Sequence, residues 1–432
     1  MPEFRGQPSS WADPEIGLLL DAFHCAVTAA SARNCLALDD LPDGDILVLG
    51  TGKASAAMAV AVNEHLSGNA RGFIVTRYGH GLAPDESAGD IEILEAAHPL
   101  PDAASAVAGQ KLLALARTIG PAETLLFLVS GGGSALSIAP LGTVTLEQKR
   151  EAADYLMRVG ADIRDINCVR RHLSALKGGR LAEAAHPAPV VTLAISDIPG
   201  DAIGDIASGP TIPSPTTPEQ ALAILERYDY PGRDELSAVL TDPQYLSPRP
   251  GDPAYGSDVT RIIASAKTAL DAAQVRLEAV GITVRRIGDH LSSDAHELGR
   301  MHGRLAKEAA ASSTQIALLS GGETRVVILG EDGRGGRNLE YLAGLALELN
   351  GHEKIFALAA DTDGIDGNAD HAGGLVTPEI LSCGGSAGLE LAAALAKNDT
   401  YRYFQACKLL VKTGPTRTNV NDFRLILINV TV

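Results

Sequence analysis

Lys53 follows a glycine turn in the stretch ILVLGTGKASAAM, residues 46 to 58. A strand, a tight turn and a helix N-terminus in that order would offer backbone N–H groups and an ammonium to an anion. The stretch satisfies neither of the phosphate-loop patterns it suggests. The Walker pattern fails because Leu47 stands where its first glycine belongs and Ala54 follows Lys53. The dinucleotide pattern keeps Gly50 and Gly52 but has Ser55 in place of its third glycine. A plain strand-to-helix turn carrying a solvated lysine is the competing reading.

A second glycine turn, SGGGSA at residues 130 to 135, places Gly131, Gly132, Gly133 and Ser134 where backbone amides could wrap an oxyanion or a phosphate. Ser134 lacks the G-x-S-x-G setting of a nucleophile elbow, because Leu136 stands two residues after it. Residues 166 to 181, INCVRRHLSALKGGRL, concentrate Arg170, Arg171, His172, Lys177 and Arg180. Helical spacing would set Arg170, Ser174 and Lys177 on one face, able to hold a carboxylate or phosphates. A solvated basic face would have the same composition.

Carboxylates crowd two further segments: Asp197, Asp201 and Asp205 in ISDIPGDAIGD, and Asp361, Asp363, Asp366 and Asp370 in ADTDGIDGNAD. Such groups repel unless a cation neutralises them, and oxygen-only ligation favours Mg²⁺ over zinc. Aspartates that merely form turns are the alternative. The run SGGETRVVILGEDGRGGRNLE pairs Glu323 with Arg334, Arg337 and Asn338 on a glycine turn, suited either to phosphate handling or to an exposed hairpin. HELGRMH at 296 to 302 has the wrong spacing for H-E-x-x-H and reads as a helix surface.

These groups need elements to aim them. Short apolar runs at 46–50, 72–77, 125–130 and 190–196 read as strands buried on both faces of a mainly parallel, doubly wound sheet. An amphipathic helix is expected at 15–37, another helix at 258–280, and later strands at GITVRRIG, QIALLSGGE, VVILG, IFALAADTDG, CKLLV and RLILINVTV. The proline-rich stretch 229–257 marks a boundary, giving an N-terminal Rossmann-like domain at 1–240, a linker at 241–257 and a smaller α/β domain at 258–432. Polar strand ends in each half make a cleft between the domains the expected active site.

With 432 residues and 45 % hydrophobic content, two domains are expected. The formal charge of -17 opposes nucleic-acid and anionic-membrane partners, so an anionic substrate must meet local cations. Five scattered cysteines without a C-x-x-C pair suggest a reducing cytoplasm, and no apolar run is long enough to span a bilayer. Oligomeric state is open, a homodimer included.

In order along the chain, GTGKAS, HPLPD, SGGGSAL, RRHLSALKGGRLA, ISDIPGD, SGPTIPSPTT, GGET, GRGGRN, DTDGIDG and TGPTRTNVND resemble the glycerate 2-kinase family with a C-terminal MOFRL domain, some of whose members are labelled hydroxypyruvate reductase. The resemblance covers nearly the whole chain. It implies ATP- and Mg²⁺-dependent phosphorylation of glycerate at its 2-hydroxyl. Under it, Lys53 neutralises charge and Asp197 orients or deprotonates the hydroxyl. Asp361, Asp363, Asp366 and Glu323 hold Mg²⁺, while Gly131, Gly132 and Gly133 with Ser134, Arg337 and Asn338 meet phosphate oxygens. Arg171 and Lys177 are candidates for the glycerate carboxylate. Departures from the family pattern are Ser214, Arg325, Leu339 and Arg417, the last standing where a glycine is usual. The alternatives are an NAD(P)H-dependent hydroxypyruvate reductase and a non-catalytic binder of small acids.

Overall fold

Each of the four apolar runs expected in the first half is a strand. The computed structural model describes residues 11, 13–36, 38, 41, 44–67, 70–330, 333–367 and 369–430. β1 (Ile46–Thr51), β2 (Ala70–Arg77), β3 (Asp90–Ala96), β4 (Thr124–Val129), β5 (Val190–Ile195) and β6 (Val259–Ala264) form one sheet in the order β3-β2-β1-β4-β5-β6. The pairings among β1 to β5 are all parallel. Every residue of β1, β4 and β5 is buried, so both faces of the sheet centre are covered, as a doubly wound fold requires. This strand order is the one used by dinucleotide-binding folds.

β3 has no counterpart among the expected strands. Its DIEILEA run alternates and ends the sheet half-exposed, so it lacks the continuous apolar signal of the central strands. β6 occupies the start of the expected 258–280 helix. The run VTRIIA favours a strand through its branched side chains, and the helix begins only at Ala266, where the Thr268 hydroxyl accepts the Ser265 N–H at 3.2 Å.

A second sheet contains β7 (Thr283–Gly288), β8 (Ile316–Gly322), β9 (Ile355–Asp361), β10 (Gly373–Val376), β11 (Leu410–Val411) and β12 (Asp422–Ile428), in the order β11-β10-β9-β12-β8-β7. β12 runs antiparallel to both β8 and β9, and only the β7–β8 pair is parallel. The expected strand at VVILG is absent. Val327, Ile328 and Leu329 stay 63 to 79 % exposed, and the Leu329 and Gly330 N–H groups are taken by the Asn398 side chain instead of a neighbouring strand. Residues 331 and 332 of the suggested hairpin lie outside the described residues.

The described chain divides into two compact units, one being Leu36–Ile263 and the other joining the residues up to Cys35 with those from Ala264 onward. The N-terminal helix Pro14–Ala29 therefore belongs with the C-terminal elements, not with the 1–240 region expected to be one domain. It packs on the Ala266–Glu278 helix, Arg276 Nε donates to Asp21 at 2.5 Å, and the Phe23 and Phe423 rings lie 5.5 Å apart. The expected linker 241–257 lies inside the first-sheet unit.

Candidate active site

In the first-sheet unit, the carboxyl ends of three neighbouring parallel strands deliver chemistry to one edge. Lys53 follows β1, the 131–134 turn follows β4, and Asp197 follows β5. With adjacent strands about 4.8 Å apart, the β1 and β5 ends stand roughly 10 Å from each other. Lys53 and Asp197 are both partly exposed there.

The loop before Lys53 does not act as the backbone anion nest suggested by its sequence. The Gly52 N–H goes to Val75 O at 3.1 Å, the Lys53 N–H to Gly131 O at 2.9 Å, the Ala54 N–H to Ser130 Oγ at 2.9 Å and the Ser55 N–H to Gly52 O at 3.2 Å. Four successive amides are thus spent inside the protein. The two glycines of the broken fingerprint have a packing cause. A Cβ on Gly50 would meet Leu128 O at 2.4 Å, and one on Gly52, whose φ is +138°, would meet Ser130 Oγ at 2.2 Å. Gly50 and Gly52 let β1 approach β4, and Lys53 is the charged side chain that this loop places at the edge.

Gly132, at φ +83°, lies against the His98 ring and the Lys53 side chain, with 3.0 and 3.5 Å between its Cβ position and their nearest atoms. His98 comes from the HPLPD segment after β3 and joins this edge unforeseen. Ser134 Oγ stands 3.0 Å from Ser208 Oγ and 2.5 Å from Lys177 Nζ, which also donates to Ser134 O at 3.0 Å. Ser208 sits in a left-handed run, with φ +51° at Ala207, +62° at Ser208 and +63° at Gly209. Two non-glycine residues held there store backbone strain, a feature that gathers at functional sites.

The shared helical face of Arg170, Ser174 and Lys177 does not form. The Ile163–His172 helix stops because residues 173 to 175 exchange backbone bonds with 139 to 141, Leu141 N–H to Leu173 O at 3.2 Å and Ala175 N–H to Ala139 O at 2.8 Å. Lys177 reaches Ser134 from the following turn. Arg171 is held by Asp205 Oδ1 at 2.8 Å and Gly204 O at 3.2 Å. The neighbourhood is crowded with buried cations. Lys177 is only 2 % exposed, and burial, then Lys149, Arg170 and Arg171, push its ammonium well below the usual lysine range. Lys149 falls to about 7 through burial, helped by Arg170 and Arg180, and burial takes His172 to about 3.

In the other unit, topology gathers an acidic edge around one arginine. Because β12 is antiparallel to both neighbours, its first residue Asp422 pairs in register with the last residues of β8 and β9, Gly322 and Asp361. Arg337, first residue of the Arg337–Leu349 helix, donates to Asp422 at 2.7 Å, to Glu323 at 2.6 Å and to Asp361 at 2.7 Å. Burial works against its charge, but Asp422, Asp361 and Glu323 outweigh that and raise the guanidinium further. Asp366 caps the same helix, accepting the Asn338 and Leu339 N–H groups at 3.2 Å each. Burial and the nearby Asp422 charge raise its carboxyl to about 7.

The four expected metal ligands do not form a metal-binding set. Among the described residues no group of three His, Cys, Asp or Glu side chains is arranged to hold an ion. Glu323 and Asp361 are drawn onto Arg337, Asp361 Oδ1 also takes the Asp363 N–H at 3.0 Å, and Asp363 Oδ1 takes the Ile365 N–H at 2.8 Å. The cation that relieves the crowding is a guanidinium. Asn338 is fully buried with its amide on Asp366 and Asp422, so it supports the helix and does not face solvent. Asp422, absent from the expected set, binds Arg337, Asn338 and Arg424. Its signal was the NVND tail directly ahead of a strand.

Residues 18–241 match the family described as a domain of unknown function, DUF4147, and residues 316–422 match the MOFRL family. An Agrobacterium vitis protein named provisionally as a hydroxypyruvate reductase is 43 % identical over 429 residues, covering 97 % of this chain and 96 % of its own. The D-glycerate 2-kinase of Thermotoga maritima is 37 % identical over 390 residues, covering 89 % of this chain and 90 % of its own. A crystal structure of glycerate kinase from Thermotoga maritima aligns with a TM-score of 0.87 at 34 % identity, over 95 % of this chain and 99 % of that one. Identity of this extent, joined to both domain matches in order, makes the chain a member of the glycerate 2-kinase family.

Proposed function

We propose that the protein transfers the γ-phosphoryl group of ATP, supplied with Mg²⁺, to the 2-hydroxyl of D-glycerate, giving 2-phosphoglycerate. The observation that carries this reading is the convergence of Lys53, Ser134 and Asp197 on the ends of three adjacent parallel strands in a chain of this family. In the reaction the glycerate 2-oxygen bonds the γ-phosphorus, the bond to the β–γ bridging oxygen breaks, and ADP leaves. Asp197 receives the hydroxyl proton. Lys53 neutralises charge gathering on the transferred group, and positioning supplies much of the rate. Ser134 and Arg171 hold the substrate carboxylate or phosphate oxygens. Since the carboxylates around Arg337 do not fit a metal, Mg²⁺ is assigned to the nucleotide phosphates.

The reductase reading rests on the name of the 43 % identical relative and on the strand order. Against it, Gly50 and Gly52 are used in packing, Ser55 is buried with its hydroxyl on Leu128 O, and β2 ends in Thr76 and Arg77 where a ribose-binding acid would stand. Incubation with ATP, Mg²⁺ and D-glycerate, with 2- and 3-phosphoglycerate resolved, should yield the 2-isomer. Oxidation of NADH or NADPH by hydroxypyruvate without any phosphoglycerate would overturn the proposal.

A further inference from the structure

Ser134 in the short Gly133–Leu136 helix, Lys177 in the turn after Ile163–His172 and Ser208 in the 3-10 turn Ile206–Ser208 meet in an arrangement that phosphate binding alone does not require. Ser134 is partly exposed, while Lys177 and Ser208 behind it are 2 % and 6 % exposed. Lys177 Nζ hydrogen-bonds the carbonyl and hydroxyl oxygens of Ser134, and no carboxylate pairs with it among the described residues. The charged groups around it are Lys149 on the Leu146–Arg158 helix and Arg170 and Arg171 on the Ile163–His172 helix, with Asp205 engaged by Arg171. Burial, with Lys149, Arg170 and Arg171 nearby, pushes the Lys177 ammonium well below the ordinary lysine range, so its charged form is disfavoured. Lys177 Nζ donates to Ser134 Oγ at 2.5 Å and to Ser134 O at 3.0 Å, so on giving up a proton it has a lone pair in place to accept the Ser134 hydroxyl, with Ser208 Oγ 3.0 Å from Ser134 Oγ. Serine–lysine nucleophiles are defined by this geometry and not by G-x-S-x-G.

We propose that Ser134 is a nucleophile with Lys177 as its base, able to take the acyl group of a small activated ester. Ser134 Oγ bonds the carbonyl carbon while its proton passes to Lys177 Nζ. The ester C–O bond breaks, and the leaving alcohol carries that proton away. Water then adds to the acyl-serine with Lys177 again as base, releasing the acid and restoring Ser134.

The test treats the intact protein with a fluorophosphonate probe and locates the adduct by peptide mass spectrometry, then follows p-nitrophenyl acetate hydrolysis from pH 6 to 9. One adduct on Ser134 is expected, absent in Ser134→Ala. Lys177→Met should slow labelling by about 100-fold, the usual scale of a lost general base. The wild-type rate should flatten below the pH at which an ordinary lysine loses its proton, because burial lowers Lys177, whereas an unassisted serine keeps gaining as pH rises. Absence of an adduct on wild-type Ser134 refutes the proposal whether or not the variants fold, and so does wild-type labelling of a folded Lys177→Met protein. Glycerate phosphorylation by the same preparation is read separately, so its failure and this one are distinguishable.

Discussion

Replacing Arg337 by methionine should destabilise the unit that contains it. The three carboxylates on the guanidinium are unequal: the side chains of Glu323, Asp361 and Asp422 are 50 %, 5 % and 0 % exposed. The Glu323 pair, screened by solvent, is worth about 0–1 kcal/mol. Removing the cation from the other two leaves buried negative charge, a loss of about 3–5 kcal/mol. Asp422 keeps Arg424 at 2.5 Å, which holds the expectation toward the lower half of that range. For a unit of roughly 200 residues this lowers the melting temperature by about 10 °C. Calorimetric scans of both proteins at pH 7 measure the difference. A loss under about 1 kcal/mol would show that the arginine does not neutralise this edge.

Lys53→Ala should lower glycerate turnover by roughly 10²–10³-fold with little change in melting temperature, since the loop is held by its backbone; near-normal turnover removes Lys53 from the mechanism. Burial raises the Glu340 carboxyl from 4.5 to about 7, so its ionised form costs stability as pH rises through that window. Glu340→Gln should therefore gain about 3 kcal/mol at pH 8 and about 1 kcal/mol at pH 5 in urea titrations, and an equal difference at both pH values contradicts the assignment. Arg417 holds φ +64°, so Arg417→Gly should raise stability by about 1 kcal/mol; a clear fall would mean that its side-chain contacts outweigh the backbone strain.

The central strands of the first sheet were legible because burial on both faces writes itself as unbroken runs such as ILVLG and LLFLVS. Edge strands carry no such signature, and β3 and β6 escaped notice for that reason. VVILG shows the converse, an apolar run without a strand partner, tied down by Asn398. At the site, residue identities were visible but their commitments were not. Whether the Lys53 and Ala54 amides face a ligand depends on the turn after β4, more than 70 residues away. Asp422 could be recognised only once β12 was known to run against β8 and β9. The aspartates of DTDGID looked like metal ligands because a sequence does not reveal that Arg337 stands among them.

The N-terminal helix buries Phe23 and its apolar neighbours against elements that begin only at Ala266. Since Leu36–Ile263 intervenes as a separate unit, this helix must wait for its partner during synthesis. At roughly 5–20 residues per second, the delay is on the order of 10 to 50 s, ample for the intervening sheet to complete itself first. During that interval the helix presents Ile16, Leu19, Leu20, Phe23 and Val27 without the surface that covers them in the finished protein. Until the elements from Ala266 onward emerge, that apolar face is transiently exposed surface of the kind that makes partly folded chains prone to aggregate.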